Sequence, residues 1–161
     1  MSQQATSDEL QRPGKHTGIV SKLTFMSPLK SDGADILRTK FNGQNGAGYS
    51  RGADKVGTLQ DMRWVTFDND SRLLSCTAYD GDWDAYIDDF ETKIPEIMDD
   101  PFSVIEGWPG IASPDVKDFI VQRHITATGW SCAHPSASVK QVLKGQKILQ
   151  AFEELLDTAA S

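Results

Sequence analysis

TLQDMRWVTFDNDSRLLSCTAYD, residues 58–80, is the stretch that decides the fold of this chain. Its two outer parts, 58–67 and 72–80, are rich in β-branched and aromatic residues over strand-sized lengths. The residues between them, 68–71, are the polar types that favour a turn. The stretch therefore predicts a β-hairpin.

The period of the apolar residues changes directly after this hairpin. DGDWDAYIDDFE (80–91) places carboxylates at the ligand positions of a calcium-binding EF-hand loop. Such a loop needs Gly at its sixth position, where this chain has Ala85, and it needs a preceding helix rather than a strand. From Trp83 to Ile97 the apolar residues follow helical spacing instead. We therefore expect a helix that begins near Asp82, with an acidic, solvated face, and not a calcium site.

The other elements follow from caps, breakers and periodicity. Ser31 or Asp32 would cap the first helix, and Ser113 with Pro114 would open a later one. The predicted elements are a strand over 18–27, a helix over 31–41, a loop over the glycine-rich 43–52, an irregular connector over 100–110, a helix over 113–124, a strand over 125–134 and a helix over 136–157. This order predicts an α+β fold on the ferredoxin-like βαββαβ plan, with an antiparallel sheet and extra helices.

Composition limits the class of protein. The chain has 161 residues, 39% of them hydrophobic, which suits one domain with its own core. Its formal net charge of −7 and its scattered Lys and Arg argue against nucleic-acid binding. The apolar stretches are too short to span a membrane, and the polar first residues lack the apolar core of a secretory signal. We expect a flexible tail over 1–16, a single domain over 17–161 and a cytoplasmic protein.

Strand alternation sorts the side chains of the predicted sheet into two faces. One face carries bulky and polar groups together, a composition typical of an interface or a ligand site. Its members are Gln60, Met62, Trp64, Thr66, Ser75, Thr77, Tyr79, Thr126, Thr128, Trp130, Cys132 and His134. We expect helices to cover the opposite face. Two copies that pair through the exposed face would form a homodimer, either around a small-molecule cavity or as an interface without a pocket.

The segment VGTLQDMRWVTFDNDSRLLSCTAYDGDWDAYIDDF (56–90) resembles a family of small proteins with the dimeric α/β-barrel fold. Its YDG-W-Y-DDF ending is the sharpest part of the resemblance, and residues 117–157 are also similar. Members of the family are often grouped with haem peroxidases of the dye-decolourising type because of a shared fold. The resemblance implies a dimeric barrel and makes haem a possible cofactor. Many relatives carry His where this chain has Gln60, which weakens a haem or metal role at that strand.

Three residues are candidates for catalysis. His134 could act as a general base or an axial haem ligand, although a lone histidine often has only a structural role. Arg63 could hold an anion such as a haem propionate, or it could simply pair with Asp61 on the same strand face. Tyr79 lies on the predicted cavity face. Cys132 and His134 alone do not make a metal site, and two cysteines suggest no disulfide scaffold.

We therefore expect an oxidoreductase, peroxidase- or monooxygenase-like, that acts on a small apolar or aromatic molecule. The alternative is a non-catalytic ligand-binding or accessory protein with a dimer-forming sheet face. The predicted substrate-binding residues are Trp64, Met62, Gln60, Trp130, Thr128 and Cys132.

Overall fold

The computed structural model describes residues 15–42 and 45–160, which form an α+β fold with an open, four-stranded antiparallel sheet. The strands are β1 (Lys15–Thr17), β2 (Val20–Pro28), β3 (Leu59–Phe67) and β4 (Arg72–Asp80). The helices of the described residues are α1 (Gly33–Phe41), α2 (Asn45–Val56), α3 (Trp83–Lys93), α4 (Pro95–Phe102), α5 (Val116–Arg123) and α6 (Val139–Ala160). This architecture is compatible with the predicted ferredoxin-like class.

The predicted hairpin is confirmed as β3 and β4, which lie at one side of a sheet with the order β1-β2-β4-β3. Its turn contains Asp68, Asn69 and Asp70, with φ angles of 56°, 52° and 65°. Asp and Asn adopt this left-handed conformation more readily than most residues, so the DNDS sequence suits the turn.

The helices cover one face of the sheet and enclose the core. Phe25 of β2 lies in this core with Tyr86 and Phe90 of α3. Trp64 of β3 packs against Phe41 of α1, with ring centroids 4.7 Å apart. Met62, on the same face of β3, also packs against the core.

The predicted assignment of the two faces is therefore reversed. Met62, Trp64 and Tyr79, which we expected on the exposed face, lie on the face that the helices cover. The opposite face, which we call the open face, carries Arg63 and Val65 on β3 together with their neighbours on β2 and β4. Burial of the large apolar area of the aromatic rings under the helices stabilises this arrangement, and the charged Arg63 stays in contact with water.

The predicted strand over 125–134 is wrong. The chain makes one antiparallel bridge between Phe25 and His124, and the amide of Ile125 donates to the carbonyl of Thr24 at 2.8 Å. It then leaves the edge of the sheet and continues as irregular structure to residue 138. Farther along the same edge, β1 pairs with Val20, Ser21 and Lys22 of β2. A full fourth strand would need the backbone groups that β1 already uses.

The predicted loop over 43–52 is also wrong, because α2 begins at Asn45; residues 43 and 44 lie outside the described part. Gly52 lies against Ile97, and a Cβ on this glycine would stand 3.1 Å from Ile97 Cγ2. Val56 is buried at the end of the helix. Packing against α4 and burial of Val56 outweigh the entropy cost of the glycines.

The helix predicted from Trp83 to Ile97 is divided into two, because Pro95 lacks the amide hydrogen that would continue α3. Helix α4 extends to Phe102, so the first residues of the predicted connector over 100–110 are helical.

The other helix starts lie within a few residues of prediction. The first helix occupies 33–41 with Asp32 at its N-cap, and α3 begins directly after Asp82, although neither cap residue makes a side-chain capping hydrogen bond. Ser113 and Pro114 do not open α5 as predicted, because they lie in a turn in which the amide of Val116 donates to the carbonyl of Ser113. The helix begins at Val116 with Asp115 at its N-cap. Residues 15 and 16 of the predicted tail belong to β1, and residues 1–14 lie outside the described part.

Candidate functional site

A cleft of about 440 Å³ lies between the first residues of β3, the irregular segment after α5 and the start of α6. Most of its wall is aliphatic. The lining residues are Leu59, Gln60, Cys132, Ala133, His134, Ala137, Val139, Val142, Leu143 and Gln146. Elements that are far apart in the sequence therefore build one concave, mostly apolar surface, which we call the α6 cleft.

Helix α6 begins with two reciprocal hydrogen bonds that define its first turn. Ser138 Oγ accepts from the amide of Gln141 at 3.2 Å, and Gln141 Oε1 accepts from the amide of Ser138 at 2.9 Å. This is a capping box of the Ser-x-x-Gln type. It fixes the residue at which the helix starts, and so it places Val139 and Val142 at the cleft.

Asp80, at the end of β4, joins the helix to the hairpin. Its Oδ2 accepts from the amide of Val139 at 2.7 Å, and its Oδ1 accepts from Gln60 Nε2 at 2.5 Å. Gln60 Nε2 also reaches the carbonyl of Ala137, at 3.3 Å. A carboxylate at the N-terminus of a helix is favoured by the helix dipole. Asp80 and Gln60 thus hold the two sides of the α6 cleft together.

The structure brings three of the nine predicted site residues into this cleft: Gln60, Cys132 and His134. Gln60 has a structural role there, because its side-chain amide donates hydrogen bonds to the carboxylate of Asp80 and the carbonyl of Ala137. Cys132 is half-buried, and His134 is exposed at the rim. The cleft therefore offers a thiol and an imidazole on one wall.

Tyr79 lies away from the cleft, in the core. Its ring stacks on Tyr86 with centroids 3.8 Å apart and planes within 6°. Burial raises the pKa of Tyr79 well above its ordinary value, and the negative charges of Asp82 and Asp84 raise it further. A phenol held in this way stays protonated and gives the core its packing.

Met62 and Trp64 line a second cavity, of about 300 Å³, on the helix-covered side of β3. Gln60 lines this cavity as well, so it stands between the two spaces. The indole nitrogen of Trp64 is buried and has no hydrogen-bond partner within the described residues.

The other predicted residues lie on the outside. Arg63 is on the open face, with Nη1 3.4 Å from Asp61 Oδ1. Both side chains are well exposed, so the pair is screened by water and contributes little to stability. Trp130 lies 5.2 Å from the ammonium group of Lys22, measured to its ring centroid. Thr128 is exposed in the irregular segment.

One pattern in the sequence indicates where α6 begins and was not used in the prediction. SVKQ (138–141) matches the capping-box pattern, and it fixes the start of α6 more sharply than the apolar stripe did. Leu59, Asp80 and Val139 meet only through tertiary contacts, so local pattern gave no indication of their role.

The residues of the α6 cleft do not fit haem. His134 could ligate iron, but the lining holds no Arg or Lys that could pair with the propionates, and Arg63 is elsewhere, next to Asp61. Within residues 15–42 and 45–160, no group of three or more His, Cys, Asp or Glu side chains is placed to hold a metal ion. In α3, Asp84 and Asp88 lie 3.4 and 2.7 Å from the ammonium group of Lys117, as part of a solvated helix face.

Comparison with known proteins found no family model, no curated protein and no solved structure that matches the chain. The resemblance to the dimeric α/β-barrel family is therefore still a prediction. Within the described part of the chain, none of the helices has the length and apolar character that crossing a membrane requires.

Proposed function

We propose that this protein binds a small, largely apolar molecule in the α6 cleft. The observation that carries the proposal is the cleft itself, with a volume of about 440 Å³ and a mostly aliphatic wall. Ligand sites commonly have this size and combine apolar walls with a few polar groups that orient the ligand.

Three polar side chains support the choice of ligand. Cys132, His134 and Gln146 line the cleft and bring a thiol, an imidazole and an amide group to it. They lie on two different walls, the irregular segment and α6, so a ligand between them would gain polar contacts on both sides. We therefore expect an apolar or aromatic body with one or two hydrogen-bonding groups.

The test is a binding screen by amide NMR with small aromatic and aliphatic molecules that carry a hydroxyl or carbonyl group. Binding in the cleft predicts shifts at the amides of Leu59, Cys132 and Ala133. Ala133→Trp would fill the cleft and should abolish these shifts. Ala112→Trp, at an exposed position outside the cleft, is the matched control and should leave them unchanged.

A screen in which no molecule perturbs these amides, or in which both tryptophan variants behave alike, would contradict the proposal. Native mass spectrometry of the purified protein adds a second readout. Retained mass of an organic molecule, lost in Ala133→Trp, would identify the class of ligand directly.

An oxidoreductase is the second candidate, favoured by one observation: Cys132 and His134 share a wall of the α6 cleft. Histidine is a common general base, and a thiol can undergo redox chemistry. His134→Ala should then abolish turnover while ligand binding remains. Arg63 and Tyr79 have no place in this candidate, because neither lines the cleft.

We also propose the ferredoxin-like plan, and a homodimer through the sheets is the alternative to any other pairing of two copies. The order β2-β4-β3 corresponds to the first, third and second strands of βαββαβ, and the bridge at His124 lies where the fourth strand would pair. A dimeric barrel would have to use the open face, where Val65 and Phe67 are 43% and 36% exposed. The face that carries Met62 and Trp64 is already covered by helices.

A further inference from the structure

Helix α6 exposes an apolar stripe along its whole length. The helix has 22 residues, and every residue from 140 to 159 is exposed. These exposed residues include seven large hydrophobic side chains. Their exposed fractions lie between 39% and 64%, for Val142, Leu143, Ile148, Leu149, Phe152, Leu155 and Leu156. A helix with an apolar stripe of this kind usually buries it against another surface, because an isolated helix is only marginally stable in water.

The spacing of the stripe is that of a helix-pairing surface. Val142, Gly145, Leu149, Phe152 and Leu156 recur at alternating intervals of three and four residues. This is the a/d pattern of a coiled coil, and Ile148 and Leu155 widen it along one side.

The charges of α6 are divided between its two halves. Lys140, Lys144 and Lys147 stand in the first half, whereas Glu153, Glu154 and Asp157 stand in the second. This order opposes the preference of a single helix, whose dipole favours acidic residues at the start and basic residues at the end. The first turn holds no acidic residue and the last turn no basic one.

We propose that α6 pairs with α6 of a second copy of this chain in antiparallel orientation. In that orientation the basic half of each helix lies beside the acidic half of the other, and the two dipoles also oppose each other. A parallel pair would place like charges at the same level.

The sizes of the side chains select one antiparallel register. With Leu149 opposite Phe152 of the second copy, Gly145 faces Leu156 and Val142 faces Ala159. Gly145 thus leaves room for the large Leu156, and Ala159 leaves room for Val142, an arrangement that fills space between two helices. A parallel pair in register would set Gly145 against Gly145 and Phe152 against Phe152.

This pairing also touches the α6 cleft. Val142 is both the first residue of the seam and part of the cleft wall. The end of the second copy's α6 would therefore lie beside the mouth of the cleft. The pairing itself does not depend on the proposed ligand.

The contact area sets the expected strength of the dimer. A helix of 22 residues is about 33 Å long and about 11 Å across, so one third of its surface is about 400 Å² on each copy. The total of about 800 Å² is below that of stable specific interfaces. We therefore expect a reversible dimer that dissociates on dilution.

The first test is sedimentation equilibrium of the full chain over a range of concentrations up to roughly millimolar. We expect the mass to rise from 17.7 kDa toward twice that value. Leu149→Glu should keep the protein monomeric at least tenfold higher in concentration. Gln150→Glu adds the same charge beside the seam and should dimerise almost as the parent does. Circular dichroism checks that each variant is folded.

A parent that stays monomeric throughout would overturn the proposal. So would a dimer that Leu149→Glu leaves intact and that Phe67→Glu disrupts, because the open face would then be the contact.

Disulfide trapping tests the orientation, in a background with Cys76→Ser and Cys132→Ser. The positions from 145 to 156 span about 16 Å along the helix. Gly145→Cys and Leu156→Cys should therefore not cross-link alone, whereas a mixture of the two variants should form a disulfide-linked dimer. Rapid cross-linking of Leu156→Cys by itself would show a parallel pair and overturn the antiparallel register.

Discussion

A buried chain of hydroxyl groups connects β3, β4 and α3, and it allows a sharp test of the core. Tyr86 Oη lies 2.6 Å from Thr77 Oγ1, and both residues are buried. Thr77 Oγ1 donates to the carbonyl of Asp61 at 3.0 Å, so the Tyr86 hydroxyl is the donor to Thr77. Removing one member leaves its neighbour unpaired, and the cost depends on which member is lost.

We expect Thr77→Val to lower the free energy of unfolding by about 2–3 kcal/mol, because it strands the Tyr86 hydroxyl in the core and removes the donor to Asp61. Tyr86→Phe should cost only about 1 kcal/mol, because the Thr77 hydroxyl keeps its acceptor. In the double variant no hydroxyl is stranded. Its cost should be about 1–2 kcal/mol, well below the sum of the two single variants.

Urea unfolding of the four proteins at one pH measures this double-mutant cycle. Ser75→Ala is the matched control, because Ser75 is buried on the same strand and its hydroxyl has no partner within the described residues. Its removal should leave the free energy of unfolding unchanged or raise it. Additive costs, with a coupling below about 0.5 kcal/mol, would refute the hydrogen-bond chain.

Three further perturbations follow from single contacts. Asp80→Ala should lower the free energy of unfolding by about 1–2 kcal/mol and speed amide exchange at Val139, because the start of α6 loses its acceptor. Burial lowers the pKa of His124 from its ordinary value of about 6.5. Below that pH the unfolded chain therefore binds more protons than the folded chain. Stability should therefore fall as the pH drops below that value, and His124→Gln should remove this part of a pH titration followed by urea unfolding. Gly52→Val should cost about 1–3 kcal/mol in thermal or urea unfolding, because its side chain meets Ile97.

Controls separate these effects from general damage. Asp82→Ala removes an exposed carboxylate that makes no side-chain capping bond, so it should not change exchange in α6 as Asp80→Ala does. An Asp80 variant with unchanged exchange at Val139 would refute the anchoring role. A His124→Gln protein that keeps the full loss of stability below about pH 6.5 would assign that loss to other groups.

Local patterns were sufficient where an element depends on its own residues. The hairpin followed from two strand-like runs around DNDS, and the start of α3 followed from the change of period at Trp83. The same is true of α6, whose stripe is visible in the sequence even though the described domain leaves it exposed. Local composition was misleading for α2, where packing of Gly52 and Val56 outweighs the glycine content.

By itself, the sequence determined which side chains share a face, because strand alternation depends only on the backbone. Only the tertiary structure decided that the face with Trp64 is covered and the face with Arg63 is open, since alternation is symmetric between the two. It also decided that β1, and not residues 125–134, pairs with Val20, Ser21 and Lys22 on the free edge of β2. The α6 cleft depends in the same way on Asp80 meeting Val139, a contact between distant residues that no local pattern encodes.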